Sequence, residues 1–548
     1  MIVFFRARTA PVWRMVGGCA LALTLTATAT AGAMQTAGSP PSLPHVQVIA
    51  GAIEGKLAQA HGVTLSEFQG IPYAAPPVGP LRWKPPQPVA HWDGTRLTRR
   101  FGPRCMQLPL FSDMVFRSDG MSEDCLYLNV WIPAHADGRK LPVLVYFYGG
   151  GFVGGDGSEF RYDGASLASR GIVTVTVNYR LGVFGFFALP ALAQESPQHA
   201  AGNYGLLDQV AALRWVRANI ASFGGDPAQV TIAGESAGSI AVSALMTSPL
   251  SRHLFARAIG ESGALIAPIA PLPLAKMERQ GEAFAAKAGA GSLAALRALP
   301  ADALLQATRG QNGDADIDLD GWFLTEPPAV TMAHGEQAQV PLLLGSNSQE
   351  GLYTAILKDR PPTPSNYRVA LRQLFGARAE RALALYPGGS EAEVKRSATA
   401  LASAFFIAHT TRRWMDLQHR TGHAPVYFYY FDQPRPARRH PAPGELPDAG
   451  AVHSGEIEYA LGNLDTNRVY AWTAADRQAS RTMEGYFARF IQSGNPNGDG
   501  LPHWPAVQAS EGGLLRQVIG ADTHTEIDRG AARQAFLQQY YVTHPGGS

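Results

Sequence analysis

The chain has 548 residues, of which 46% are hydrophobic and 16% charged, with a formal net charge of +2. This balance supports a large buried core and excludes a disordered, coiled-coil or repeat protein, and no clustered basic stretch offers a nucleic-acid footprint. Loss of Arg6, Arg8 and Arg14 with a leader segment would take the charge from +2 to −1.

Residues 1–33 read as a secretory signal peptide, with an Arg-bearing start, an apolar run from Met15 to Ala27 and small residues ending in Ala31-Gly32-Ala33, after which cleavage is expected. The apolar run is shorter and richer in Thr and Ala than a spanning helix, so stable membrane insertion is not expected. Export to the periplasm or the medium is. Cys19 would leave with the leader, and the remaining pair, Cys105 and Cys125, invites a disulfide in an exported protein, two unpaired buried thiols being the alternative.

After a Pro-rich lead from Gly38 to Pro44, the alternation in "VQVIAGAIEGKL" suits a strand. "FQGIPYAAPPVGPLRWKPPQP", residues 68–88, holds seven prolines and reads as an ordered, largely irregular surface crossing. From 126 onward strand and helix alternate: "LYLNVWI", "LPVLVYFY", "IVTVTVNY", a helical stretch from Asn203 to Ser222, "QVTIAGES", then "PLLLGS" and "VYFYYF". Continuous β-branched and aromatic runs separated by helical patterns predict an α/β fold, a mostly parallel central sheet flanked by helices on both faces. The Ala/Leu-rich stretches near 264–330 and 354–423 have helical spacing and no isolating linker, and are expected as helical cap insertions within one domain over 34–548.

"VTIAGESAGSIAV", residues 230–242, passes from a buried-strand pattern through Gly-x-Ser-x-Gly into small residues suited to a helix. That context makes Ser236 a candidate nucleophile on a sharp strand-to-helix turn, against a plain glycine-rich turn with a capping serine. In "YFYGGGF", residues 146–152, three glycines leave backbone N–H groups open, so Gly150 and Gly151, with the N–H of Ala237, are candidate oxyanion donors. A phosphate loop is the weaker reading, because neither dinucleotide nor P-loop glycine spacing is present. A serine nucleophile needs a histidine base and a carboxylate to orient it. His453 in "GAVHSGEIEY" lies among small residues, and Glu350 in "LLLGSNSQEG" follows a buried strand, although spacing alone leaves a solvent-facing Glu350 open. The order Ser236, Glu350, His453 is nucleophile, acid, base.

Through most of residues 45–510 the sequence resembles the type-B carboxylesterases, the family that also contains the cholinesterases. The blocks that carry the resemblance are "FQGIPYAAPPVGPLRWKPP", "SEDCLYLNVWIP", "YFYGGGFVGG", "VNYRLGVFGF", "GNYGLLDQVAALRWVRANIASFGGDPAQVTIAGESAG", "GSNSQEG", "GAVHSGEIEY" and "SGNPN", in family order. The resemblance implies an α/β-hydrolase catalytic domain, no metal or organic cofactor, a small-molecule ester and water as substrates, and hydrolysis through an acyl-serine. It assigns Ser236, Glu350 and His453 to the triad, Gly150, Gly151 and Ala237 to the oxyanion hole, and Cys105 and Cys125 to the first family disulfide. Glu235 and Ser262 match residues lining the family site, with a buried structural carboxylate and a packed hydroxyl as their alternative roles.

Val115 stands where cholinesterases carry their choline-binding tryptophan, so a choline-ester specialist is not expected, and the later disulfides of the animal members are missing, since no cysteine follows Cys125. Two other functions stay open: an inactive esterase-like binding protein, and a hydrolase of carbamates, amides or lipid esters. Phe152, Phe184, Trp322, Phe323, Phe405 and Phe406 divide between core packing and an apolar pocket. His409, Arg412, Arg413 and the "RPARRH" run at 435–440 read as solvated surface, with preference for an anionic substrate as the alternative. The oligomeric state is not legible.

Overall fold

In the computed structural model the described residues are 43–134, 138–310, 315–442, 448–510 and 513–544. The expected signal peptide, its cleavage site and nearly all of the Pro-rich lead lie outside them.

The β-branched and aromatic runs form one twelve-stranded sheet. In chain order its strands are β1 (Lys56–Ala60), β2 (Val63–Pro72), β3 (Tyr127–Pro133), β4 (Leu141–Phe147), β5 (Val173–Val177), β6 (Gly225–Glu235), β7 (Arg257–Glu261), β8 (Leu342–Asn347), β9 (Val426–Phe431), β10 (Ala509–Ser510), β11 (Gly513–Ile519) and β12 (His524–Asp528). Across the sheet the order is β10-β11-β9-β8-β7-β6-β4-β5-β3-β2-β1, with β12 on β11. Every pairing from β5 through β4, β6, β7, β8 and β9 to β11 is parallel, and the edge pairings are antiparallel. The expected mostly parallel sheet is what forms.

Burial explains why these runs read as continuously apolar. Val143, Val145, Val230, Ile232, Ile259 and Leu343 are at most 1% exposed, as expected when both faces of a parallel sheet are covered. Each such side chain contributes roughly 1.5–3 kcal/mol by leaving water. Helix α1 (Tyr204–Asn219) occupies the predicted helical stretch and runs into a 3-10 turn, Ile220–Phe223, that ends at left-handed Gly224. Helix α2 (Ala237–Thr247) is buried along its whole length against β6 and β7.

Two local expectations are corrected. "VQVIAGAIEGKL" is not one strand: the chain reverses between His45–Val48 and Gly51–Glu54, which pair antiparallel. The reversal is fixed by Gly51, where an added Cβ would stand 2.4 Å from the Trp92 ring nitrogen. The Pro-rich crossing opens as the end of β2 and only becomes irregular after Pro72, where its prolines remove ladder donors.

Between β8 and β9 the chain forms α3 (Pro364–Phe375), α4 (Glu391–Ser403) and α5 (His409–Thr421), with a π-helical turn, Ala404–Ala408, joining the last two. Helices α3 and α4, with α6 (Ala531–Thr543), enclose a second apolar cluster, which includes Tyr367, Phe375, Leu401, Phe536 and Tyr540, whereas Trp414, Met415 and Leu417 of α5 join the main core.

Candidate active site

Strand β6 ends at Glu235 and α2 begins at Ala237, leaving Ser236 alone between them at φ 54° and ψ −119°. A non-glycine residue there is strained by about 1–3 kcal/mol. It is held by its own N–H, which donates to the Glu261 carbonyl at 2.8 Å, and by its carbonyl, which accepts from Ile240 N–H at 2.9 Å. The flanking glycines are steric requirements. A Cβ at Gly238 would stand 2.0 Å from the Phe147 carbonyl oxygen, and one at Gly234 would stand 2.6 Å from that same oxygen. Ser236 is the one residue from Val230 to Thr247 that is not fully buried.

Ser236 Oγ lies 2.9 Å from His453 Nε2, and His453 Nδ1 lies 2.7 Å from Glu350 Oε2. The other Glu350 oxygen accepts from Ser262 Oγ at 2.5 Å and from Asn347 N–H at 2.7 Å. The loops bearing Glu350 and His453 are tied together. Gln349 N–H donates to the Ala451 carbonyl, Ala451 N–H to Ser348 Oγ, and Asn347 Nδ2 to the Val452 carbonyl. Ser236, Glu350, His453 and Ser262 therefore converge, although they lie on four separate segments of the chain.

The glycine run lies against the turn, since a Cβ at Gly149 would be 3.0 Å from Ser236 Cβ. Gly150 and Gly151 have φ of 109° and 60°, and the Gly150 carbonyl accepts from Val153 and Gly154 N–H at 3.0 Å. Among the described residues the N–H groups of Gly150, Gly151 and Ala237 have no acceptor.

Buried acids surround the histidine. Glu235 Oε1 is 3.3 Å from His453 Nε2. Glu456 accepts from Asn347 Nδ2 at 2.5 Å and lies 3.4 Å from Ser262 Oγ, and Glu261 accepts from Tyr146 OH at 3.1 Å. Burial pushes Glu235 up to about 8, against the opposing His453 charge, pushes Glu456 up to about 7, with the nearby Glu350 adding to the rise, and pushes Glu261 well above the carboxylate range. For His453 burial acts downward, but the charge of Glu235, the hydrogen bond and charge of Glu350, and Glu456 outweigh it and raise the imidazole to about 10. The two sides limit each other. Once Glu235 takes a proton its charge no longer favours the imidazolium, so the base loses its main support in the charged form.

Glu456, Glu261, Tyr146 and Asn347 were not singled out by sequence. Glu456 stands three residues after His453 inside "HSGEIEY", and that closeness to the histidine is the signal that could have marked it. Of the aromatic candidates, Phe152, Phe184 and Phe323 are buried in the core, Trp322 is half-buried against it, and Phe405 packs on Phe375 and Tyr540. Phe406 differs: it lies on the π-helical turn, 44% exposed, with its ring 4.8 Å from and edge-on to His453. Val115 is exposed, and its neighbour Met114 brings Cε to 3.0 Å from where a Gly150 Cβ would be.

Of the basic candidates, Arg438, Arg439 and His440 are exposed as expected, whereas the other four are not solvated surface. Arg412 is paired with Asp416 and Asp528, Arg413 is half-buried, and His409 is buried beside Tyr541, which holds its imidazole down to about 4. Arg435 of "RPARRH" is 6% exposed and donates to both oxygens of Glu458 at 2.9 and 3.1 Å. Composition alone could not separate a loop arginine from one drawn inward by a buried carboxylate. Cys105 and Cys125 are joined in a disulfide, as expected.

The sequence model of the carboxylesterase family matches residues 42–534. The chain belongs to that family. It is 38% identical over 487 residues to fumonisin B1 esterase of Sphingopyxis macrogoltabida, covering 86% of this chain and 85% of the relative. It is 37% identical over 502 residues to dog carboxylesterase 5A, covering 84% and 83%, and 34% identical over 503 residues to human cocaine esterase, covering 84% and 85%. This member of the carboxylesterase family is thus an α/β-hydrolase and a carboxylic ester hydrolase. Among its described residues no helix is long and apolar enough to cross a membrane, and no group of three or more His, Cys, Asp or Glu could hold a metal ion.

Proposed function

We propose that ester hydrolysis proceeds through an acyl-serine on Ser236, with His453 as base and Glu350 as the acid that orients it. His453 Nδ1–H donates to Glu350, which leaves Nε2 free to accept the Ser236 proton as Oγ attacks the ester carbonyl. The carbonyl oxygen becomes an oxyanion held by the N–H groups of Gly150, Gly151 and Ala237, each such donor being worth about 3–4 kcal/mol in the transition state. The imidazolium then protonates the departing alcohol. Water, deprotonated by the same Nε2, attacks the acyl-serine and releases the acid. Glu235 supplies charge beside the base, and Ser262 fixes the carboxylate of Glu350 through its second oxygen.

The observation that carries this reading is the unbroken series Glu350–His453–Ser236, at 2.7 and 2.9 Å, ending on the one partly exposed residue of a strained turn. Phe406 and Met114 present apolar surface beside the base and the glycine run, so the substrates we propose are small esters carrying an apolar group on at least one side of the carbonyl. Export after cleavage of residues 1–33 belongs to the same proposal, supported by the leader's composition and by a disulfide suited to an oxidising compartment. The test is Ser236→Ala. Turnover of 4-nitrophenyl acetate should fall by about four orders of magnitude or more with the fold retained, and an organophosphonate should label wild type but not the variant. Near-normal turnover, or an unlabelled wild type, would overturn the assignment and favour an inactive binding protein or another nucleophile.

A further inference from the structure

Among the described residues eight non-glycine positions have positive φ, and four of them, Phe152, Ser236, Ser262 and Ser454, are site residues or their immediate neighbours. Ser454 directly follows the base, at φ 60°. A serine stays there only when its surroundings over-determine it. Two buried arginines do so. Arg435 Nη2 donates to the Ser454 carbonyl at 3.1 Å, its charge balanced by Glu458. Arg161 Nη1 donates to Ser454 Oγ at 3.3 Å, and its Nε donates to Glu159 at 2.5 Å.

The same Nη1 also reaches the Asp113 carboxylate at 3.3 Å. Asp113 belongs to the segment whose Met114 lies against Gly150 and whose Phe111 ring would be 3.2 Å from a Cβ at Gly154. Arg161 itself is pinned: its side chain is 5% exposed, its carbonyl accepts from Asn463 Nδ2 at 2.9 Å, and its guanidinium lies 5.9 Å from the Tyr162 ring centre. Glu159 alone would balance the charge of a buried structural arginine. Here one nitrogen of the planar fork is turned instead toward the backbone beside the base and toward the segment covering the glycine run.

We propose that Arg161 is a positioning residue for hydrolysis: its guanidinium ties Ser454, and through it His453, to the Asp113–Met114 segment that covers the oxyanion glycines, so that base and oxyanion donors keep a common register. The inference rests on the proposed roles of Ser236, His453 and Gly150. A lysine cannot replace the arginine, since a single ammonium on a flexible stem does not present fixed, diverging donors to Glu159, Asp113 and Ser454 together. The effect falls on the transition state, because a base displaced by about 1 Å costs on the order of 100-fold in rate without weakening substrate binding.

The test uses the full chain with 4-nitrophenyl acetate and 4-nitrophenyl butyrate. Ser454→Ala removes the Oγ contact without stranding a buried charge, and Arg161→Lys keeps the charge and removes the fork. Each should lower kcat by about 10- to 100-fold with KM within about twofold of wild type, and the double variant should be no slower than the slower single, as for two ends of one contact. Unchanged thermal unfolding of Ser454→Ala should accompany its loss of kcat. A Ser454→Ala enzyme with wild-type kcat, a loss appearing in KM, or fully additive losses would overturn the proposal. Should Arg161→Lys fail to fold, Ser454→Ala still decides. Organophosphonate labelling of wild type separates the two levels of inference. Absent labelling sinks the acyl-serine reading on which this rests, whereas normal labelling with an unaffected Ser454→Ala sinks the positioning role alone.

Discussion

Glu235→Gln should move the pH dependence of hydrolysis toward acid. A base must be neutral to take the Ser236 proton, so the rate rises with pH through the apparent pKa of His453. Glu235 Oε1 stands 3.3 Å from His453 Nε2, and a unit charge at that distance favours the imidazolium by about 5 kcal/mol at an effective dielectric constant of about 20. At about 1.36 kcal/mol per pH unit this is an upper bound of roughly 3.7 units. The bound is not reached, because the His453 side chain is 23% exposed and water screens the pair. Glu235, pushed up to about 8, is still ionised where the imidazole titrates near 10, so its charge acts across that limb. The expected displacement of the acid limb is therefore about one to two units. The assay is kcat/KM for 4-nitrophenyl acetate from pH 6 to 11, corrected for spontaneous hydrolysis, which reports the free enzyme. Since glutamine keeps the shape of the side chain, a midpoint within about 0.3 units of wild type, or one moved upward, would show that the Glu235 charge does not set the base.

Three further outcomes are expected. Gly238→Ala should lower both stability and turnover, by about 1–3 kcal/mol in denaturant unfolding, because its Cβ would fall 2.0 Å from the Phe147 carbonyl oxygen and α2 must shift away from Ser236. Replacing Cys105 and Cys125 together with alanine should cost about 3 kcal/mol, from the separation of 20 residues that the bond closes, seen as a lower thermal transition that reductant no longer moves. Glu261→Gln should stabilise the fold more at pH 9 than at pH 5. A buried acid raised well above its unfolded value of about 4.5 binds its proton more tightly in the native state, so its cost grows as pH climbs through and beyond that value, and thermal unfolding at the two pH values measures it.

Much of the site was legible because its chemistry depends on local backbone shape. Gly234 and Gly238 are required within a few residues of Ser236 by contacts with Phe147 and with each other, and Gly150 and Gly151 by positive φ, so spacing alone exposes them. The parallel sheet was legible for a related reason: strands covered on both faces are rich in β-branched, aromatic and aliphatic residues, as in the Leu141–Phe147 run of β4, the Val/Thr run of β5 and the leucines that open β8. The hairpin at 49–50 was missed because its reversal depends on Trp92, some forty residues away.

What sequence did not yield is the electrostatic frame, and the reason is distance along the chain. Arg161 and Ser454 are separated by 293 positions, and Asn347 and Glu456 by 109. Each looks ordinary in its own window: Arg161 an arginine in a Gly-rich loop, Arg435 one of three in a basic run. Their function follows from burial, which makes each charge demand a partner and so turns scattered residues into one connected set. Glu235 shows the same logic at the centre of the site. It is adjacent to Ser236 in sequence, yet its carboxylate lies 3.3 Å from His453, and only that folded distance gives it the influence on the imidazole proposed above. In the proposed mechanism the reaction type is thus written in short motifs, whereas the pH at which it would run follows from acids that meet His453 only once the sheet has brought their segments together.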